Sequence, residues 1–372
     1  MRVLHVVATG MRRGAEVFAS DLVRAARDAQ VDQWVAVVNG TTMELDFTAP
    51  ITMLHGATAE QSRPPLSPTG VWRLHALVDR WRPDLVQAHG GEALKHVAAA
   101  LVGTDTRVVY RRIGLVPRGL LGGPRRAAYG WLMRRAARVV TVADAVRHET
   151  VRLFRLPGDS VVTIPNGVDR LRIAATRGRD ETRDGLGIPP GARVLASVGA
   201  ITWEKDPLAH LRVAARVLGR TEGVHVWVGD GPMRARLQAA GTELGLDDRL
   251  MLLGNRADVG DLLEAADVLL FASRADGMEG MPASVIEAGM AGLPVAGYAV
   301  AGVPEVVVDG QTGFLVRAGD EAALADRVLR LLEDADGRRA MGAAARERCL
   351  ARFEIGAIAP RYLSLYREVV AS

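Results

Sequence analysis

The chain has 372 residues, 49% of them hydrophobic, and a formal net charge of +4. A chain of that length is too long for one ordinary hydrophobic core, so the length predicts two domains. The single cysteine, Cys349, excludes a disulfide framework or a paired redox thiol within the chain. The N-terminal residues are typical of a first strand rather than a signal peptide, and no apolar run is long enough for a membrane span. We therefore expect a cytoplasmic protein, with peripheral contact at the inner face of the membrane as a further option.

The first half alternates short β-branched runs with helical segments. Continuously apolar strands separated by helices are typical of a parallel sheet covered on both faces. The predicted strands are Val3–Val7, Trp34–Val38, Ile51–Leu54, Leu85–Ala88, Val108–Tyr110, Val139–Val142 and Val161–Ile164. The helices between them include Glu16–Asp28, Thr69–Trp81 and Glu92–Val102.

The charged and proline-rich region Pro165–Arg193 interrupts this alternation and predicts a linker. The second half then resumes the same pattern. Its predicted strands are Val194–Val198, Val224–Val228, Leu250–Leu252, Val268–Phe271, Val295–Gly297 and Gly313–Val316. Its predicted helices are Pro207–Leu218, Pro232–Leu244, Pro282–Ala291, Glu321–Glu333, Asp336–Phe353 and Ile355–Val370.

This pattern predicts the fold class α/β, with two Rossmann-like doubly wound domains facing each other across a cleft. The expected boundaries are 1–168 for the N-terminal domain, 169–190 for the linker and 191–354 for the C-terminal domain. Residues 355–372 are expected to form a helix that crosses back to the N-terminal domain. In such domains ligands bind at the carboxyl ends of the strands.

A glycine-rich turn after the predicted strand Val268–Phe271 carries the most distinctive chemistry. Pro282 fits the start of the helix that follows, because its missing N–H costs nothing in the first turn. The start of a helix favours an anion, and Gly280 allows the backbone to approach it closely. Glu279 precedes this helix, while Glu287 lies inside it on an apolar face and must find a partner there. From spacing alone, ligand hydroxyls and a neighbouring backbone are equally good partners.

The segment EGMPASVIEAGMAGLPV, residues 279–295, resembles the signature of the retaining glycosyltransferase family 4, also called glycosyl transferases group 1, which has the GT-B fold. The resemblance continues through AGVPEVVVDGQTGFLV downstream. Upstream, IPNGVD, VGAITWEKDP, VWVGDGP, LLGNRADV, DLVQAHG and GMRRGAE fall in family order. The resemblance implies transfer of a hexose-type sugar from a nucleotide-diphosphate donor to an acceptor hydroxyl, with no metal and no further cofactor.

The resemblance also implies roles for residues of the second half. Glu287 would hold the donor ribose hydroxyls and Glu279 would face the transferred sugar. Lys205 would place its ammonium on the diphosphate, whose charge grows as the glycosidic bond breaks. The remaining donor contacts would come from the amides around Gly280 and Met281 beside Pro282, and from Gly229, Gly254, Asn255 and Arg256, the last three against the nucleobase.

Two positions depart from the family pattern. Ala200 stands where the family usually has an arginine as a second phosphate cation, and Arg13 stands where it commonly has the first of two glycines. Lys205 and the helix start would then be enough to bind the diphosphate. Otherwise a different arginine would supply the second positive charge: Arg12, Arg13 or Arg256. Loss of activity is the remaining interpretation of the change at Ala200.

In the first half the resemblance singles out Gly14 and His89. Gly14 lies between the first strand and the first helix, where a tight turn suits a phosphate or acceptor contact. His89 ends the strand Leu85–Ala88, where family members often place a histidine against the transferred sugar. An ordinary Rossmann turn and a structural histidine are the alternatives.

A stretch of the first half contains arginines without any Asp or Glu. An amphipathic basic segment with aromatic residues is typical of a surface that contacts anionic lipid or a phosphate-bearing acceptor, although it also suits a plain solvated surface. No nucleic-acid-binding motif accompanies the charge. The nine arginines are Arg107, Arg111, Arg112, Arg118, Arg125, Arg126, Arg134, Arg135 and Arg138.

The expected partners are thus a nucleotide sugar and an acceptor glycan, a lipid-linked intermediate or a small metabolite. Two other functions fit the same fold. A nucleotide-sugar 2-epimerase would need no acceptor, and a non-catalytic protein would bind nucleotide sugar or lipid without transfer. The paired glutamates argue against the epimerase, and only Ala200 and Arg13 favour the non-catalytic protein.

Overall fold

The computed structural model describes residues 1–40, 43–55, 66–117, 119 and 122–372. The chain divides into two compact units. The first unit comprises Met1–Gly167 together with Ile355–Ser372, and the second comprises Val168–Glu354. None of the helices within the described ranges is both long and apolar enough to cross a membrane.

The first unit is built on a seven-stranded sheet whose strand order is β3-β2-β1-β4-β5-β6-β7 and whose paired strands are all parallel. The chain runs outward from β1 in one direction and then returns to β4 beside it. Its strands are β1 Arg2–Val7, β2 Asp32–Val37, β3 Ile51–Met53, β4 Leu85–His89, β5 Arg107–Arg112, β6 Arg138–Thr141 and β7 Val161–Thr163.

Helices cover both faces of this sheet. They are α1 Gly14–Ala25, α2 Pro68–Trp81, α3 Gly91–Ala100, α4 Gly123–Arg134, α5 Asp144–Phe154 and, from the end of the chain, α14 Ile355–Ala371. Because successive side chains of a strand point to opposite faces, Leu4 and Val86 join one apolar cluster while Val3 and Leu85 join another. The second cluster contains Phe18 of α1 and much of α14.

The second unit is built on a six-stranded parallel sheet of order β10-β9-β8-β11-β12-β13. Its strands are β8 Arg193–Val198, β9 Gly223–Val228, β10 Leu250–Leu252, β11 Val268–Phe271, β12 Val295–Tyr298 and β13 Gly313–Val316. Its helices are α6 Arg179–Gly185, α7 Pro207–Leu218, α8 Arg234–Glu243, α9 Val259–Ala265, α10 Ala283–Met290, α11 Val303–Val306, α12 Glu321–Glu333 and α13 Ala335–Phe353.

The predicted fold class is confirmed: both units are parallel α/β sheets of the Rossmann-like, doubly wound type. Each of the thirteen predicted strands corresponds to an observed strand, with ends that differ by at most two residues. Residues 169–190, which the sequence suggested as a linker, contain α6 and fall within the second unit, while α14 falls within the first. Packing, and not local sequence, decides to which unit a segment belongs, so these two assignments needed the structure.

Candidate functional site

Each sheet has a point where the strand order reverses, and ligands of such folds bind outside the carboxyl ends of the strands there. In the second unit the reversal lies between β8 and β11. Lys205 follows β8 and Glu279 follows β11. In the first unit the reversal lies between β1 and β4, and Gly14 follows β1 while His89 ends β4. The predicted site residues therefore flank both reversal points.

The turn that holds Lys205 is fixed by its own sequence. A short 3₁₀ helix, Trp203–Lys205, ends at Asp206, whose φ of 46° is left-handed. The Asp206 carboxylate accepts a hydrogen bond from the amide of Ala209 and so caps α7. Pro207 at the first position of α7 favours the same start. The helix cap thus holds the Lys205 backbone in place.

Lys205 and Glu279 form an ion pair at the second reversal point. The Lys205 ammonium lies 2.6 Å from Oε1 of Glu279, and the Ser273 hydroxyl donates to the same oxygen at 2.9 Å. The lysine side chain runs over Gly199 toward the ring of Phe271. Both charged side chains remain partly exposed, 22% for Lys205 and 10% for Glu279. The two predicted catalytic residues of this unit therefore share one site.

His210 joins the two loops that carry this ion pair. Its Nδ1 donates to the carbonyl of Asp206, and its Nε2 accepts from the amide of Ala272 at 2.9 Å. Burial and the nearby Lys205 ammonium lower the pKa of His210 to about 4, so the ring is neutral and can accept at Nε2. Sequence reasoning gave His210 no role, because one of its two backbone partners, Ala272, is 62 residues away.

Glu287 is buried in α10, just over one turn from its start, and is 8% exposed. Its Oε1 accepts a hydrogen bond from the Arg172 guanidinium at 3.0 Å. The partner of this buried carboxylate is thus a cation rather than a backbone group. Arg172 lies shortly after the PNGVD motif, but nothing in the sequence indicates its partner, 115 residues away.

The residues at the start of α10 are close to their predicted places. The helix begins at Ala283, so Pro282 is its N-cap rather than its first residue. Pro282 makes no side-chain cap at this end. The carbonyl of Gly280 accepts from the amide of Gly302 at 2.6 Å, and Met281 is 3% exposed. The helix start therefore has backbone N–H groups that its N-cap residue does not cap, which suits an anion site.

The backbone packing around position 229 requires a glycine, for a reason that the sequence did not show. It follows β9 with a φ of 130°, and an added Cβ would lie 2.2 Å from the carbonyl oxygen of Gly199. Its amide also donates to the carbonyl of Gly254, whose φ is 70°. The loops after β8, β9 and β10 thus touch backbone to backbone, so Gly229 first of all positions the loop that carries Lys205.

The loop after Gly254 holds Asn255, which is exposed, and Arg256, which is partly exposed. Arg256 forks onto the Asp258 carboxylate at 2.8 and 2.6 Å, and this hydrogen bonding lowers the pKa of Asp258. Arg177 contacts the same carboxylate. Arg256, one of the arginines considered as a replacement for the family residue at Ala200, therefore already has a carboxylate partner.

At the first reversal point Gly14 begins α1 and is exposed. A Cβ added to Gly14 would meet nothing within 4 Å, and its φ is not left-handed. Neither space nor backbone conformation within the described part of the chain therefore demands glycine there. Glu16, two residues later, is 4% exposed, and its burial raises the pKa of its carboxyl group.

His89 is 1% exposed and lies within a buried polar group on one face of the first sheet. The register pairs it with Arg111 of β5, which is also 1% exposed and covers the ring of Phe18 at 3.7 Å. Nε2 of His89 lies 3.1 Å from Nδ1 of His5. Burial is the main cause that lowers the pKa of His89, and the charge of Arg111 adds to it.

The basic stretch of the first unit is not a single surface. Arg111 and Arg112 are buried, which corrects their assignment to a lipid-facing segment, and Arg118 lies outside the described residues. Arg107 and Arg138 are partly buried and contact Ser372 and Glu368. The exposed basic side chains are those of α4 and its C-cap, namely Arg125, Arg126, Arg134 and Arg135.

Comparisons with known proteins agree with these features. The model of Glycosyltransferase Family 4 matches residues 12–172, and that of Glycosyl transferases group 1 matches residues 178–348. The chain is 32% identical over 307 residues to the 2-deoxystreptamine N-acetyl-D-glucosaminyltransferase of Streptomyces fradiae, which covers 78% of this chain and 72% of that protein.

The chain is also 28% identical over 232 residues to the N-acetyl-α-D-glucosaminyl L-malate synthase of Bacillus anthracis, and it spans 60% of that relative's length. Among solved structures, HepE of Anabaena in complex with UDP-glucose has a TM-score of 0.86 at 21% identity, and the likeness covers 99% of this chain and all of that one. This similarity shows a shared GT-B fold. The chain is therefore a glycosyltransferase and belongs to the family of glycosyl transferases group 1, or glycosyltransferase family 4.

Proposed function

We propose that the protein transfers a hexose-type sugar, with retention of anomeric configuration and without a metal ion, from a nucleotide-diphosphate donor to an acceptor hydroxyl. The observation that carries this proposal is the contact of 2.6 Å between Lys205 and Glu279 at the carboxyl ends of β8 and β11. A fixed cation and a fixed carboxylate on one site suit a donor with an anionic half and a hydroxyl-bearing half.

Lys205 serves the leaving group in this proposal. As the bond between the sugar and the β-phosphate breaks, negative charge accumulates on the diphosphate, so a positioned ammonium stabilises the transition state more than the bound donor. The uncapped start of α10 adds backbone N–H groups to the same charge. When the diphosphate takes the ammonium, the Glu279 carboxylate becomes available to the sugar, with Ser273 still holding Oε1.

Glu287 holds the donor ribose through its acceptor oxygens, and Arg172 orients the buried carboxylate. Without Arg172, the carboxylate would lose the hydrogen bond that fixes its orientation toward the ribose hydroxyls. Donor recognition in this proposal therefore depends on a pair of residues.

The chemical step breaks the bond from the anomeric carbon to the phosphate oxygen and forms a bond from the same carbon to the acceptor oxygen. The acceptor proton passes to the leaving phosphate oxygen, which gives a nucleoside diphosphate and a glycoside. Attack and departure occur on the same face of the sugar, through an oxocarbenium-like state. Glu279 orients the sugar in that state, and His89 of the first unit is a further candidate for contact with a sugar hydroxyl.

The acceptor in this proposal is a small metabolite, a glycan or a lipid-linked intermediate. The names of the two relatives describe sugars joined to L-malate and to 2-deoxystreptamine, which supports a small polar metabolite as the first choice. The exposed side chains of α4 support contact with an anionic surface, because Trp131 is 52% exposed with the Arg135 guanidinium over its ring, and Arg125 and Arg126 are exposed near the start of the helix. Sedimentation with anionic vesicles tests this contact against a variant in which both Arg125 and Arg126 are glutamine.

The experiment that tests the function begins with thermal shifts against UDP, GDP, ADP and TDP. The stabilising nucleotide then selects hexose donors for transfer to malate, 2-deoxystreptamine and simple glycans, with and without EDTA. The proposal expects an α-linked glycoside from an α-linked donor, at a rate that EDTA does not change. Interconversion of donor sugars without an acceptor would instead indicate a 2-epimerase. Donor binding without any turnover would indicate a non-catalytic protein.

A further inference from the structure

Three side chains of the first unit form a hydrogen-bonded chain that ends at His89. Gln33 of β2 donates through Nε2 to the carbonyl of Val23 in α1 at 2.9 Å. Its Oε1 lies 3.2 Å from Nε2 of His5 in β1. Nδ1 of His5 then lies 3.1 Å from Nε2 of His89 in β4. The chain joins three neighbouring strands and one helix, and none of its links is local in sequence.

The direction of each hydrogen bond in this chain follows from its first link. A peptide carbonyl can only accept, so the amide NH₂ of Gln33 must face Val23 and its carbonyl oxygen must face His5. Nε2 of His5 therefore carries a proton, and Nδ1 of a neutral His5 is a bare acceptor. Nε2 of His89 must supply the proton for the next bond. Nδ1 of His89 is then the atom without a proton.

Both histidines are neutral in this arrangement. Burial lowers the pKa of His5 to about 4, and burial together with the charges of His5 and Arg111 lowers that of His89 well below its ordinary value. Arg111 is buried in the same region, with the face of its guanidinium on Phe18. A second cation beside this buried guanidinium would be repelled in a medium of low polarity. Neutral rings are therefore stable, and each has one defined tautomer.

Nδ1 of His89 is the last atom of this hydrogen-bonded chain. It is buried, and within the part of the chain that the structure describes it has no hydrogen-bond partner. His89 is the last residue of β4, beside the reversal point of the first sheet. A buried acceptor without a donor costs free energy, and a ligand hydroxyl can supply that donor.

We infer that Gln33 and His5 are positioning residues that hold His89 in its Nε2–H tautomer, so that Nδ1 accepts a hydrogen bond from a ligand hydroxyl at the first reversal point. This inference rests on the proposed function for the identity of the ligand. The other tautomer of His89 would set its bare Nε2 against the bare Nδ1 of His5, and a matching change in His5 would leave the Gln33 carbonyl without a donor. His89 therefore selects a hydroxyl that donates, and it cannot favour a ligand atom that only accepts.

The tautomer can be measured without any substrate. In protein labelled with ¹⁵N, long-range proton–nitrogen spectra distinguish bare from protonated ring nitrogens, and a His89→Asn variant assigns the His89 signals. At neutral pH the inference expects Nε2 of His89 to be protonated and Nδ1 to be bare. A protonated Nδ1, or an averaged mixture of tautomers, would overturn it.

Two substitutions break this hydrogen-bonded chain at different links. Gln33→Met keeps the length of the side chain but removes its acceptor, and His5→Phe keeps a ring but removes the acceptor for His89. Each is expected to convert the His89 signals into a mixture of tautomers and to lower kcat/KM for transfer by about tenfold, as expected for one hydrogen bond. UDP affinity should stay the same, because the proposed nucleotide contacts lie in the second unit.

Ser197→Ala is the matched control, because Ser197 contacts the buried ring of His225 in the second unit at 3.0 Å. It should change the His225 signals and leave those of His89 as in the unchanged protein. If Gln33→Met also left the His89 signals unchanged, Gln33 would have no positioning role. If the tautomer is as expected but no nucleotide sugar is turned over, the proposed function fails while the tautomer assignment stands.

Discussion

The two reversal points use opposite electrostatics. In the second unit the side chains are charged and paired, Lys205 with Glu279 and Arg172 with Glu287. In the first unit the two histidine rings His5 and His89 are neutral, and the hydrogen bond between them is buried. Charge suits a diphosphate, whose own charge increases during reaction, whereas a neutral ring of defined tautomer suits the hydroxyl of a sugar.

The difference also concerns what happens when a ligand binds. An ion pair must exchange a partner when the diphosphate arrives, so its geometry changes with the donor. The histidine chain needs no exchange, because its last acceptor has no partner within the described part of the chain. Preorganised dipoles of this kind cost no reorganisation during the reaction. Four predictions test this comparison, and the one with the largest effect comes first.

Lys205→Ala should lower kcat by about 10²- to 10³-fold, the usual loss when one positioned group that stabilises transition-state charge is removed. The thermal midpoint should change little, because Lys205 packs at a partly exposed edge. Steady-state transfer rates and a thermal melt check both results.

The chain has only one other lysine, Lys95, which makes an ion pair with Glu92 at 3.0 Å in the first unit. Lys95→Ala is therefore a matched control that removes the same charge from a comparable pair. It should leave kcat within a factor of about two, since exposed ion pairs contribute little. Equal losses in both variants would show that overall charge, and not the reversal point, determines the rate.

Gly229→Ala should destabilise the second unit by about 2–4 kcal/mol, because the added Cβ would lie 2.2 Å from the Gly199 oxygen and the φ is unfavourable for alanine. Urea unfolding measures this change. Gly14→Ala is the contrasting variant in the first unit, where the space is open. It should keep the unfolding midpoint and lower transfer, which would mean that a ligand and not the fold requires glycine there.

The free energy of unfolding should fall as the pH decreases from about 6.5 to 4. The folded-state pKa values of His5 and His210, about 4, lie below the unfolded value near 6.5, so the unfolded chain binds protons first. The contribution of each histidine to the free energy of unfolding is fully present above about pH 6.5. It decreases below that pH, by roughly 3 kcal/mol per histidine at pH 4.

Urea midpoints measured across this range check the slope. Replacement of the exposed His148 by glutamine is the control and should not alter it. A midpoint that stays constant from pH 7 to 4 in the unchanged protein would contradict the buried neutral histidines.

Glu287→Gln should weaken nucleotide binding by about tenfold, because an uncharged amide is a weaker acceptor for ribose hydroxyls. Arg172→Met should have a similar effect, and the double variant should lose less than the two separate losses combined, since each residue acts through the other. Calorimetric titration with the nucleotide that stabilises the protein gives these affinities. Fully additive losses would separate Arg172 from the ribose site.

Much of the second reversal point could be predicted from the sequence. Glu279, Gly280, Pro282 and Glu287 lie within nine residues of one turn and helix, so local rules for caps and helix starts apply to all of them. Lys205 follows from the strand and turn that precede it. The strands themselves were predictable because long β-branched runs separated by helices have few other folds.

The rest could not be predicted, for a physical reason. Arg172 and Glu287 are 115 residues apart, and the contact between them depends on how α10 packs within its unit. His5, Gln33 and His89 meet only because three strands pair in one register. Before the register is known, each of them is a single polar residue in an apolar strand. Arg111 looked like a surface cation for the same reason.

The account depends most on the claim that the second reversal point binds a sugar donor through its diphosphate. Calorimetric titration of the full chain with UDP and the other nucleoside diphosphates, compared between the unchanged protein and Lys205→Ala, tests it most directly. We predict that one nucleotide binds and that its affinity falls at least tenfold in Lys205→Ala while Lys95→Ala binds normally. Equal affinity in all three proteins, or no binding of any nucleotide, would contradict the claim.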